Sequence, residues 1–286
     1  LKTRQRAAIF LPGDVSPQET RDCLHEELAQ ALGPLNDLYR LPDSVFNDDN
    51  FHTVLTGFDM LMLKVYYDDT LHSGMRSGQV ADRLPGILAR VNPRGQFKGG
   101  ALPRRTPRPW IDAIETALGP RTGSKQRLVA ARRAVTISEA YGWKDTRRAF
   151  SLYVLGRLSL NDDPELALAA FLEASAIYRA RPDTKVQAAH VAMQLSAFSL
   201  SSGQLNGTLG LVNESIPPVR AAENAALLST LMLMKAEALR LQGRGAEAGR
   251  VRNEALGWAR YGFGSEQVVR ARLTEINALA PTGSGS

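Results

Sequence analysis

The 286-residue sequence has few of the residues that bind metals through nitrogen or sulfur, with one cysteine and four histidines. Because Cys23 stands alone, an internal disulfide and a cysteine-based zinc cluster are both excluded. The histidines at positions 25, 52, 72 and 190 are too scattered to indicate a metal site by their spacing. We therefore predict neither a metal nor a cofactor.

Long apolar runs are also lacking. The most apolar stretch, residues 227–234, is far shorter than the roughly 18 to 20 residues that a membrane-spanning helix needs. Hydrophobic residues make up 44% of the chain and charged residues 22%, which argues against disorder. The composition predicts a globular chain without a membrane span.

The net charge of +6 is unevenly distributed, since residues 1–93 carry −4, residues 94–148 carry +9 and residues 149–286 carry +1. A basic segment with Phe97 and Trp110 in it could contact nucleic acid or anionic lipid. It could equally dock against the acidic first segment, or reflect a composition in which 28 of 35 basic residues are arginine. We expect no nucleic-acid partner.

Residues 1–91 have the pattern of a mixed α/β segment. An apolar run at 7–11, stopped by Pro12-Gly13, predicts a strand. Ser16-Pro17 followed by Glu19 is typical of a helix start, and an apolar stripe continues to Leu32, where Gly33-Pro34 ends the helix. Two further helices are predicted at 57–67 and 77–91. This fold class is α+β, with α-helix predominating over the whole chain.

The remaining chain divides into three parts. Residues 92–124 are rich in proline, glycine and arginine and are predicted to be a basic linker with a short helix at 110–118. Residues 125–281 are predicted to form an all-α repeat domain. Residues 282–286 have the composition of an artificial linker, and we leave them out of the fold prediction.

The repeat domain has a period of 40 to 41 residues. Small or apolar residues recur at i, i+4 and i+7, with Gly203 and Gly243 each five residues ahead of a triplet. The four triplets are Arg127-Ala131-Ala134, Ala167-Phe171-Ala174, Thr208-Val212-Ser215 and Ala248-Arg252-Ala255. The pattern resembles tetratricopeptide repeats, whose usual period is about 34 residues, and implies a solenoid of helical hairpins. An irregular helical bundle is the alternative.

The first predicted helix carries a second resemblance. Residues 25–37 and the Ser44-Val45-Phe46 string resemble the metzincin zinc proteases, whose H-E-x-x-H-x-x-G-x-x-H helix binds zinc and precedes a methionine turn. Here the general-base Glu27 and the turning Gly33 match, whereas Glu26, Gln30 and Asn36 occupy the ligand positions. Catalytic zinc needs about three protein ligands, ordinarily imidazoles and carboxylates, and the amides of Gln30 and Asn36 are poor ligands, so protease activity by that mechanism is not expected.

Further matching residues lie downstream. Phe46 takes the place of the turn methionine, and Thr56, Asp59 and Tyr67 keep the spacing of the family's terminal helix. The resemblance covers about residues 7–68 and implies an incomplete metzincin-like fold.

Glu26, Glu27, Gln30, Asn36 and Asp37 are therefore the candidates for a remnant polar site. Such a cluster could hold a hard cation, bind a peptide terminus or perform acid–base chemistry. It could also be a solvated helix face beside a hydrogen-bonded turn.

In the repeat domain, Trp143, Trp258, Arg260 and Tyr261 are candidates for a binding groove, since Trp, Tyr and Arg dominate interface hot spots. The alternative role for these side chains is to pack between adjacent hairpins.

The string Glu-Glu-Leu-Ala-Gln-Ala-Leu-Gly at 26–33, with Ser-Val-Phe-Asn-Asp at 44–48, also resembles an uncharacterised bacterial domain family. Some members of that family are described as candidate lipoproteins. The resemblance implies export and membrane anchoring through a segment upstream of Leu1. We predict a non-catalytic protein–protein interaction or assembly module whose partner is another protein. The alternatives are a hydrolase that uses Glu26 and Glu27, and a structural subunit completed by another chain.

Overall fold

A computed structural model describes residues 5–34, 38–47, 51–96 and 105–281. Within these ranges it contains twelve α-helices and one short 3-10 helix, and no β-strand. The chain forms two compact units, which are described separately below. Unit 1 comprises residues 1–13 and 20–105, and unit 2 comprises residues 14–19 and 106–286.

The N-terminal helices form where the sequence predicted them. They are α1 (Pro17–Leu32), α2 (Gly57–Tyr66) and α3 (Ser77–Val91). At the start of α1, the backbone N–H of Glu19 donates to Ser16 Oγ at 3.1 Å. At its end, Gly33 has a φ of +153° and lies so close to the Tyr66 ring that a Cβ would approach it within 2.3 Å. Only glycine satisfies both requirements.

The α+β assignment of the N-terminal segment is wrong. Residues 7–11 form no strand, and they make no backbone hydrogen bond within the described part of the chain. Phe10 is 90% exposed. A strand exists only where a second strand supplies hydrogen-bond partners, so an apolar run alone cannot create one. Residues 7–11 have no such neighbour among the described residues.

Unit 2 is a continuous series of antiparallel helices, and its solenoid-like packing agrees with the prediction. Its helices are α4 (Arg108–Leu118), α5 (Ser124–Ala140), α6 (Thr146–Ser159), α7 (Pro164–Arg179), α8 (Lys185–Ser201), α9 (Leu205–Ala221), α10 (Ala225–Leu241), α11 (Gly245–Phe263) and α12 (Glu266–Ala278). Each helix packs against the next, and α10 also contacts α8 and α12. The short helix predicted at 110–118 is α4.

The helix starts confirm the predicted repeat. The first helices of the four hairpins begin at residues 124, 164, 205 and 245, which gives spacings of 40, 41 and 40. Gly203 and Gly243, at φ +72° and +77°, form the turns before α9 and α11. Glycine is favoured there because other residues are strained at positive φ.

Small residues let the helices approach closely, as the triplets predicted. Ala131, Ala167, Ala174 and Ala255 are completely buried, and Ala248 is 6% exposed. Ion pairs repeat with the same period, because Arg179–Glu214 and Arg220–Glu254 join equivalent positions of successive hairpins at 2.9 and 2.7 Å. The fold is therefore repetitive, while the specific tetratricopeptide assignment stays a prediction.

Candidate functional site

Three of the five remnant-site candidates, Glu26, Glu27 and Gln30, lie on the second half of α1. Glu27 is exposed, and together with Gln30 and Ala31 it lines a shallow cavity of about 260 Å³ bounded by residues 6–9. Glu26 is half-buried on the same helix. Asn36 and Asp37 lie outside the described residues. Two of the five candidates thus line one cavity.

The turn around Ser44 and Val45 is held by a buried carboxyl group on α2. Asp59, completely buried on α2, accepts hydrogen bonds from Ser44 Oγ at 2.5 Å and from the Val45 backbone N–H at 3.0 Å. It also accepts from the Thr56 backbone N–H at 2.8 Å, which closes a capping box at the start of α2. Several donors therefore compensate the burial of this polar group.

The turn packs directly against α1. Ala29, which follows the exposed Leu28 on α1, forms a small buried cluster with Val45 and Phe46, and Leu55 packs against it. Phe46 occupies the position that the resemblance gave to the turn methionine. An aromatic ring at this place fills the space beneath the helix that carries Glu26, Glu27 and Gln30.

Two further hydrogen bonds join α1 to the chain around α2. His25 Nδ1 accepts from the Leu55 backbone N–H at 3.1 Å, and Tyr67 Oη donates to the Leu32 carbonyl at 2.6 Å. The sequence had identified Thr56, Asp59 and Tyr67 by their spacing alone. Their role in holding α1 and the Ser44 turn was not predicted, because a pattern of spacings does not show which hydrogen-bond partner each side chain has.

Within the described ranges, no three His, Cys, Asp or Glu side chains are grouped so that they could hold a metal ion. The carboxylate of Glu27 is accessible from solvent, and the other residues that line its cavity offer the guanidinium of Arg6, the amide of Gln30 and apolar side chains. This arrangement can accept hydrogen bonds from a ligand.

The predicted apolar stripe of α1 is largely exposed. Leu24, Leu28 and Leu32 lie four residues apart on one face of the helix and are 40%, 52% and 41% exposed. The sequence predicted the helix and its stripe, but nothing in the sequence shows that the rest of unit 1 leaves this face open. The sequence reasoning therefore predicted the apolar stripe and missed its exposure.

Trp143 is part of a packed aromatic cluster. Its ring makes an edge contact with the completely buried Trp110 at 5.6 Å between centroids, and the guanidinium of Arg147 lies 3.8 Å above it. Tyr141 packs beside it and is 59% exposed. The half-buried Trp143 thus joins α4 to the α5–α6 hairpin.

Trp258, Arg260 and Tyr261 lie on α11, in a different hairpin from Trp143. Trp258 packs on the core of α8–α12, beneath the guanidinium of Arg220. Arg260 forms an ion pair with Glu266 at 2.9 Å, and Tyr261 is 39% exposed. The four candidates thus belong to two different hairpins, and their role in a binding groove stays a prediction.

Comparison with known proteins identifies one family. Residues 2–86 match the family described as "Protein of unknown function (DUF2927)". The match confirms a domain of unknown function in this segment, while the metzincin-like and lipoprotein assignments stay predictions. Comparisons with curated proteins and with solved structures gave no significant match. No helix in the described part of the chain is long and apolar enough to cross a membrane.

Proposed function

We propose that the protein is a non-catalytic protein–protein interaction module, and that its partner covers the α1 leucine row, defined as Leu24, Leu28 and Leu32. The row carries the proposal because three leucines at helical spacing form a continuous apolar strip exposed to water. An amphipathic helix face of this kind is normally buried against another element.

The energetics require a partner that covers more than the leucines. Burying the exposed half of each leucine stabilises a complex by about 1 kcal/mol, so the row contributes about 3 kcal/mol. A stable complex needs a larger interface than this. The exposed side chains of Phe10, Met60, Tyr66 and Tyr67 in the same unit supply further apolar area.

From the sequence we predicted a binding groove on the helical repeats of unit 2. The exposed leucine row favours a binding surface on unit 1 instead. The same row also supports the third reading, in which another chain completes this unit. Both readings involve a protein partner at α1, so one experiment tests both.

The test is site-specific photo-crosslinking in cells that express the protein natively. A photoreactive amino acid at position 28 is expected to give a defined protein adduct. The matched control places the same amino acid at Leu172, which is 54% exposed on α7 of unit 2. The same weak pattern of adducts at both positions would refute the proposal.

The alternative function is a hydrolase, and the cavity beside Glu27 and Gln30 is the observation that favours it. We expect the purified protein to contain no stoichiometric zinc and to cleave no peptide, because Glu26 and Gln30 stand at ligand positions of the protease motif. Elemental analysis and a peptide-cleavage assay check this. About one zinc per chain, retained after mild chelation, would favour the hydrolase.

A further inference from the structure

A second cavity, of about 200 Å³, opens between α10, α11 and α12 in unit 2. Its lining combines buried apolar side chains with charged and amide groups. The apolar residues include Leu233, Leu273 and Ile276, and the polar residues are Glu237, Arg240, Arg252 and Asn277. A space of this size accommodates one amino-acid side chain or a small organic molecule.

The repeat shows why the cavity occurs here. Gly249 on α11 is equivalent to Leu128, Leu168 and Leu209 in the three preceding hairpins, at offsets of 40, 41 and 40 residues. Each of those leucines is partly buried. The last hairpin therefore lacks a side chain that the other three possess at this position.

A second replacement occurs one turn further along α11. Arg252 is equivalent to Ala131, Phe171 and Val212, which are all completely buried. In the last hairpin the side chain is exposed and cationic. An apolar position of the repeat has thus become a charged position that lines a cavity.

Packing does not explain Gly245 and Gly249 of α11. A Cβ added to Gly245 or Gly249 would meet no atom within 4 Å, and neither residue has a positive φ. Glycine inside a helix costs about 1 kcal/mol relative to alanine. At these two positions no closer contact between helices offsets the cost. The missing side chains leave the cavity open instead.

The charges in the cavity favour an anionic ligand. Glu237 is 5% exposed, and its carboxylate already accepts two hydrogen bonds from Arg240, at 2.6 and 2.9 Å. Arg252 has no acidic partner, and the amide of Asn277 has no hydrogen-bond partner, among the residues that the structure describes. With one carboxylate against two guanidinium groups, the lining carries a net charge of about +1.

We propose that this cavity binds a carboxylate group on an aliphatic stem. The planar guanidinium of Arg252 matches a carboxylate through two parallel hydrogen bonds. Asn277 supplies a further N–H donor, and Leu233, Leu273 and Ile276 contact the stem. The site is independent of the α1 leucine row, so each proposal can fail without the other.

Calorimetric titration of the full chain tests the site. Isocaproate is the free-acid probe and isocaproamide its uncharged counterpart. A capped pentapeptide with a central glutamate, compared with its glutamine version, tests whether the bound carboxylate comes from a peptide side chain. We expect the carboxylate form of at least one pair to bind at least about tenfold more tightly than its amide. Equal affinities within both pairs, or no binding by any probe, would overturn the proposal.

Four variants locate the site. Gly249→Leu restores the residue of the other hairpins and should abolish binding by filling the cavity, and Arg252→Ala should weaken binding at least about tenfold. Their controls are Gly257→Ala, at a glycine of α11 with equal open space, and Arg250→Ala, at an exposed arginine of α11. Neither control residue lines the cavity, so binding should be unchanged. Melting curves verify folding, and parental affinity in both Gly249→Leu and Arg252→Ala would contradict the site.

Discussion

Units 1 and 2 differ in how the apolar faces of their helices are buried. In unit 2, every helix packs on the next and small residues recur at buried positions, so the apolar core extends along the whole series. In unit 1, a cluster of three buried residues and one buried carboxyl group hold α1 and α2 together, while the α1 leucine row stays exposed. Repetition stabilises the first arrangement, whereas specific polar contacts stabilise the second.

The largest expected effect lies in unit 1. Asp59→Ala removes the acceptor for Ser44 Oγ and for two backbone N–H groups, and each buried unpaired group costs about 1–3 kcal/mol. We expect unit 1 to lose about 3 kcal/mol of stability, measured as lost amide-exchange protection in α1 and α2. Unit 2 should keep its protection.

Asp112→Ala is the matched control for this substitution. Asp112 forms an exposed ion pair with Arg108 at 2.6 Å on α4, and exposed pairs contribute about 1 kcal/mol or less. Equal loss of protection in α1 for both variants would show that Asp59 does not hold unit 1 together.

In unit 2, overpacking should have the next largest effect. Ala174→Leu adds three carbons to a completely buried position of the repeat, which should cost about 1–3 kcal/mol in denaturant unfolding. Ala169→Leu, at an exposed position of the same helix, is the control and should change stability little. An unchanged unfolding midpoint for Ala174→Leu would contradict the assigned repeat phase.

A smaller effect concerns pH and the α11–α12 connection. The hydrogen bond from Arg260 and its charge lower the pKa of Glu266 below its usual value of 4.5. Because the folded pKa is depressed, this contribution to stability is present above pH 4.5 and is lost as the pH falls through the folded pKa. In Glu266→Gln the melting temperature should therefore fall slightly less steeply than in the parent as the pH is lowered.

Glu165→Gln is the control for the pH experiment, since Glu165 is exposed and forms no ion pair within the described part of the chain. If the melting temperatures of the two variants fall equally as the pH is lowered, the Arg260–Glu266 pair does not contribute to stability in solution.

The smallest effect is expected at Glu27. A buried carboxylate at this position would need hydrogen-bond donors, and Glu27→Gln would then be destabilising. Because Glu27 is exposed, we expect an unchanged melting temperature at neutral pH. A clear loss of stability would contradict the exposed placement of this carboxylate.

The helices and the repeat were predictable because their signals are local. Ser16 and Gly33 mark the two ends of α1, and a 40-residue spacing of small residues places the hairpins of unit 2. The strand at 7–11 was predicted wrongly, because strand formation depends on a partner that local sequence does not show.

The sequence by itself determined the ends of α1, the repeat phase and the mismatch with the zinc-ligand pattern at Gln30 and Asn36, because each depends on residue identity and spacing along one chain. Only the tertiary structure decided that Asp59 anchors the Ser44 turn, that the leucines of α1 face water, and that Gly249 and Arg252 open a cavity. The physical reason is that burial and hydrogen-bond pairing depend on neighbours from distant parts of the chain. A periodic apolar stripe specifies which side of a helix can be buried, and the rest of the fold decides whether anything covers it.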